Sequence, residues 1–61
     1  MDITQGKFKI SVMKQLGMFQ DYSYWVLHLS TNNEIFFEQV YDESFTEQEV
    51  ISIGLSYVGA M

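Results

Sequence analysis

Two consecutive runs, YSYWVLHLS at residues 22–30 and EIFFEQVY at residues 34–41, alternate with strand period yet carry bulky side chains on both sides. In the first, Trp25, Leu27 and Leu29 share one face and Tyr22, Tyr24, Val26 and His28 share the other. In the second, Ile35, Phe37, Gln39 and Tyr41 fall opposite Phe36, Glu38 and Val40. An antiparallel sheet with one wet face normally keeps one of the two sets polar. Here both faces want cover. Thr31-Asn32-Asn33 joins the two runs, and asparagine tolerates the left-handed backbone that a tight hairpin requires.

A third run precedes them. KFKISVMK at residues 7–14 sets Phe8, Ile10 and Val12 against Lys7, Lys9, Ser11 and Met13. Period two with β-branched residues reads as a strand, and the lysines suit an edge strand that must resist further pairing. Residues 15–21 are the break after it, with Gly17 able to take positive φ. Leu16, Met18 and Phe19 are apolar for a loop; they are expected to tuck beneath the sheet, the alternative being exposure for a partner. The opening Asp2-Ile3-Thr4-Gln5-Gly6 is polar and does not read as a signal peptide.

The C-terminal segment supplies cover for one face. Ser44 with Glu47, and Thr46 with Glu49, form two overlapping capping boxes. With Thr46 as N-cap, Phe45 and Val50 occupy the positions of a hydrophobic staple, and Glu47 and Glu49 complement the positive helix end. Ile51 to Tyr57 alternates like a strand, so a short helix followed by a fourth strand competes with a helix through about residue 58. The helix is the expectation. It would bury a stripe of Val50, Ile51, Gly54, Leu55 and Val58, with Gly54 allowing close approach to the sheet. The fold is therefore α+β, a three-stranded antiparallel sheet followed by one C-terminal helix (β-β-β-α), in a single domain spanning 1–61. One such helix shields one face only. The apolar face left over marks an interface, with Tyr24, Val26, Phe36 and Val40 as its candidate residues.

A chain of 61 residues hides only about 60% of the surface its unfolded form exposes, and chains this small usually need a staple. With no cysteine, neither a disulfide framework nor a thiolate metal site can serve. Association remains, so the expectation is a homodimer, or a monomer that keeps an apolar face for another protein. The net charge of −5 and the lack of arginine disfavour direct binding to nucleic acid or to an anionic membrane, and no apolar run reaches the length of a membrane span. The expectation is a soluble cytoplasmic protein.

Catalytic signals are absent. His28 has no serine, cysteine or acid at a recognised spacing and reads as a strand histidine. Asp42-Glu43 with Glu47 and Glu49 lacks the alternating ligands and central glycine of a calcium loop. The four glycines form no phosphate-binding motif. No enzyme activity, cofactor or metal is expected. Glu38, Asp42, Glu43, Glu47 and Glu49 either solubilise the domain or face a protein partner, standing where DNA phosphates would stand in a basic cleft.

Tyr22, Asn32-Asn33, Phe36-Phe37-Glu38 and the run Ser44 to Val50 together resemble the small dimeric uracil-DNA glycosylase inhibitors encoded by some tailed phages. The likeness spans residues 22–53; the chain departs from the family pattern at Gln48 and Ser52, where the family has aromatics. The resemblance implies a DNA mimic that blocks a nucleic-acid-processing host enzyme in the host cytoplasm, an anti-defence role. It implies Glu38 and Glu49 as the mimicking acids, beside an apolar pocket. The alternative is a homodimeric adaptor module whose acids serve solubility alone.

Overall fold

In the computed structural model, which describes residues 1–18 and 22–60, the strands are β1 (Asp2–Gln5), β2 (Phe8–Leu16), β3 (Ser23–Thr31) and β4 (Glu34–Asp42), followed by helix α1 (Glu47–Gly59). The strands form one antiparallel sheet in the order β1-β2-β3-β4, and α1 lies across β2 and β3. The α+β class and the C-terminal helix match the sequence reading. The strand number does not: there are four, and the extra one comes first. Asp2-Ile3-Thr4-Gln5 offers a single large apolar residue, too little periodicity to stand out. Pairing makes it a strand, since Ile3 lies opposite Ile10 and Val12 N–H donates to the Met1 carbonyl at 2.9 Å. Gly6, with φ of 61°, opens the two-residue Gly6-Lys7 turn, the position where a type II′ hairpin takes glycine. β2 is thus an interior strand rather than the expected edge. Its Lys9 pairs with Asp2 at 3.5 Å, and the sheet's free edges belong to β1 and β4.

The second hairpin turns as expected, with Asn32 at φ 53° and Asn33 at φ 66°, both positive as a type I′ turn demands. Beyond it, β4 carries an irregularity. Leu29 faces Phe37 and Ser30 faces Ile35, so Phe36 is left without a partner. Such a bulge shifts every side chain on its far side by one position. Ile35 therefore joins Lys9, Ser11, His28 and Ser30 on the face opposite the helix. The Phe36 ring meets Phe8 edge-on at 5.9 Å, and Phe8 packs against the core. Phe36 and Ile35 have exchanged the faces that strict alternation assigned them.

Ile10, Val12, Leu27, Leu29 and Val50 are fully buried between sheet and helix. α1 starts at the second capping box: Thr46 Oγ1 accepts from Glu49 N–H at 3.1 Å, and Glu49 Oε1 accepts from Thr46 N–H at 2.9 Å. Ser44 takes no part in capping, because its N–H and hydroxyl both donate to Asp42. Phe45 packs against the core, of which Val50 is part, as a staple requires. Trp25 Nε1 donates to the Phe45 carbonyl at 2.8 Å, which pins the β4–α1 connection to β3. The helix continues to Gly59 and buries Val50, Ile51, Gly54 and Val58, with Leu55 partly covered. A Cβ on Gly54 would stand 2.8 Å from Ile10 Cγ2 and 3.1 Å from Leu27 Cδ1, so only glycine lets the helix sit this close. Replacing Thr46 with alanine should cost about 1 kcal/mol through the lost cap; an unchanged urea midpoint would show that the box contributes nothing.

The expected tucking does not occur at Leu16 or Met18. Leu16 and Met18 are 65% and 86% exposed, while Phe19 lies outside the described residues. Leu16 ends β2 opposite the small Ser23, which gives it little cover among the described residues. Gly17 serves the loop by its lack of a side chain. The Tyr22 ring lies against it, with Cζ 2.2 Å from where a Cβ would be, and Gly17 N–H donates to the Tyr22 carbonyl at 2.8 Å. Gly6, not Gly17, is the positive-φ glycine.

Candidate functional site

The register orders the face opposite the helix into cross-strand rows. Thr4, Lys9, Ser30 and Ile35 form the first; Asp2, Ser11, His28 and Glu38 the second; Met13, Val26 and Val40 the third; Gln15, Tyr24 and Asp42 the fourth. This face is more polar than the alternating sequence suggested, because β1 and β2 contribute lysine, serine, threonine and aspartate to it. Its apolar part is one row running across three strands. Met13 and Val40 are 41% and 51% exposed and flank Val26, which they help to bury. Tyr24 stands beside the row, with Tyr22 at 6.3 Å between ring centres.

The polar row is internally bonded. Ser11 Oγ donates to Asp2 Oδ1 at 2.8 Å, and His28 Nε2 lies 2.6 Å from Glu38 Oε2. The Ser11 bond, ahead of the Lys9 charge, holds the Asp2 carboxyl below the ordinary carboxylate range. Ser11 faces His28 across the ladder, yet the serine hydroxyl is directed to an acid rather than to the imidazole, so no nucleophile–base pair forms. Among the described residues no group of three or more histidine, aspartate or glutamate side chains is placed to hold a metal ion. No helix among them is long and apolar enough to cross a membrane.

The sequence-assigned acids divide between two sides of the molecule. Glu38 and Asp42 share the open face and bracket Val40 along β4. Glu47 and Glu49 belong to the first turn of α1, in the helix layer. Most of them have internal work. Glu49 caps the helix, Glu43 Oε2 accepts from Ser23 Oγ at 3.0 Å, and Glu38 holds His28. The Ser44 hydroxyl, and then its N–H, keep the Asp42 carboxyl below its usual range. Of the apolar candidates, Tyr24, Val26 and Val40 do share the open face. Phe36 does not, for the bulge removes it. Met13 and Ile35 belong there instead. Met13's alternation with the lysines was visible in the sequence, but its neighbours depended on register.

Between the apolar row and the β4–α1 junction the surface dips. This depression, about 600 Å³, is lined by Tyr22, Ser23, Tyr24, Val40 and Asp42. On the opposite side, Tyr41 is partly covered, which pushes its phenol upward in pKa, with Tyr57 adding to the effect.

Comparison with known protein families, with curated proteins and with solved structures finds no match to this chain.

Proposed function

We propose that this protein is a non-enzymatic binding module that docks the open face of its sheet onto a positively charged protein surface. The favoured target is the nucleic-acid channel of a DNA-processing or defence enzyme. One observation carries the reading: Met13 and Val40 lie exposed on either side of the buried Val26, in a row set between carboxylates, with Glu38 on one side and Asp42 on the other. An apolar strip supplies affinity once water is displaced. The flanking acids and the net charge of −5 supply attraction and orientation toward a surface built to hold phosphates. Asp42 suits that role, since its carboxylate stays charged.

The direct test mixes the protein with purified uracil-DNA glycosylase and measures uracil excision, alongside a panel of DNA nucleases. Inhibition should weaken as salt rises and should fall sharply on Met13→Lys, which puts a charge of the target's own sign on the apolar row. An enzyme fully active under a large molar excess is removed as a target. Inhibition indifferent to Met13→Lys would reject the open face as the contact.

A second reading draws on a different observation. Glu38, Asp42, Glu43 and Glu49 each have a hydrogen-bonded partner within the chain, as expected of acids retained for turns, caps and solubility. On that reading the protein is a homodimeric adaptor whose apolar row is covered by a second copy. Sedimentation across concentration separates the two. A dimer that dissociates on Met13→Glu favours the adaptor, and a persistent monomer leaves the face free for a foreign partner.

A further inference from the structure

Among the depressions of the surface, the one beside the apolar row combines three features that one kind of ligand satisfies together. Tyr22 and Tyr24 present two rings with centres 6.3 Å apart and planes inclined by 35°. Asp42 closes one side with a carboxylate held in its charged form. Val40, half-exposed, forms an apolar floor with Tyr24. We propose that this notch receives an arginine side chain from the protein partner. The inference rests on the docking reading above and names its anchor.

The chemistry favours a guanidinium group. Its flat face stacks on aromatic rings, its edge presents N–H donors to a carboxylate, and its aliphatic stem packs on apolar surface. Asp42 is placed for this. Ser44 N–H and hydroxyl both donate to Oδ1, which orients the carboxylate and leaves Oδ2 to accept from a ligand. Glu43 is turned toward Ser23, accepting from its N–H at 3.3 Å and its hydroxyl at 3.0 Å, so a second negative group borders the same wall. The chain's three lysines are engaged elsewhere: Lys14 lies over Trp25 at 5.4 Å, Lys7 over Phe8 at 5.5 Å, and Lys9 pairs with Asp2. The chain has no arginine of its own. A second copy therefore cannot supply the group, and the occupant belongs to a different protein.

The test uses a fluorescent synthetic peptide with one arginine among valine and serine residues, and the same peptide with citrulline in place of arginine. Citrulline keeps the shape and loses the charge. Anisotropy should show the arginine peptide binding about tenfold more tightly, the size expected of a stacked cation bonded to a carboxylate. Tyr24→Leu and Asp42→Asn should each remove most of that preference, while Tyr24→Phe, which keeps the ring, should preserve it. Each variant's urea midpoint is measured in parallel, so that a folding defect is not mistaken for a lost site. Equal binding of the arginine and citrulline peptides overturns the proposal, as does an arginine preference that survives Asp42→Asn in a folded protein. The two readings fail separately. A target enzyme still inhibited by the Tyr24→Leu and Asp42→Asn proteins sinks the notch and spares the docking face. Arginine-selective binding with no enzyme inhibited does the reverse.

Discussion

Replacing Gly54 with valine is expected to destabilise this protein by about 3 kcal/mol, at the upper end of what overpacking a core costs. The first added carbon would already stand 2.8 Å from Ile10 Cγ2 and 3.1 Å from Leu27 Cδ1. Neither atom can easily retreat. Ile10 Cγ2 is fixed to a branched β-carbon, and both residues are fully buried. A domain of 61 residues has a total stability of roughly 3–9 kcal/mol at the usual per-residue value, so the valine protein should lose between a third and all of it and unfold at a much lower urea concentration. Alanine at the same site is the instructive comparison. It gains about 1 kcal/mol of helix propensity over glycine, but its Cβ already makes the 2.8 Å contact with Ile10 Cγ2, so it should fall between the parent and the valine variant. Circular dichroism through a urea titration reads both. A valine variant with the parental midpoint would mean that α1 does not rest on β2 and β3 at this distance.

Truncating Leu27 to alanine should cost about 3–4 kcal/mol, the transfer loss plus the cavity left at a site with no room to collapse. Leu27 sits on an interior strand with Val12 on one side and Gln39 on the other, beneath Gly54. The matching change one residue earlier in the ladder's other face, Met13→Ala, should stay within about 0.5 kcal/mol, as for an ordinary surface substitution. The contrast separates the covered face from the open one by energy alone. Because Leu27 and Gly54 touch, their changes should not add. Leu27→Ala removes one of the two close contacts that Gly54→Val makes, leaving that with Ile10, so the double variant should be more stable than the sum of the two losses implies. Strict additivity in the unfolding midpoints would contradict the contact.

Local rules were legible wherever one short stretch decided the outcome. Asn32-Asn33 turns because its residues accept positive φ, and Thr46 caps because Glu49 stands three residues later. The choice between Thr46 and Ser44 was not local. Asp42 takes Ser44 for its own turn, and Trp25, distant in sequence, fixes the Phe45 carbonyl. β1 was missed for a related reason. Its four residues carry one apolar side chain, and the Gly6-Lys7 turn was the available signal. Gly17 was assigned a backbone role when its neighbour Tyr22 needed the space. The candidate acids were found as a group, but a linear sequence could not show that Glu47 and Glu49 lie in a different layer from Glu38 and Asp42.

The order of residues by itself determined the two facing patterns of β2 and β3, the hairpin between β3 and β4, the presence of a capped helix after Ser44 and the value of glycine at position 54. Each follows from side-chain period, capping or turn chemistry within a few residues. Tertiary structure alone decided that β2 is interior, that Phe36 turns away from Glu38 and Val40, and that the open face is apolar in one row only. Those outcomes depend on which strand pairs with which, and in what register. A single unpaired residue in β4 reverses the faces of those before it, and a ladder's register is set by the whole sheet rather than by any strand in it.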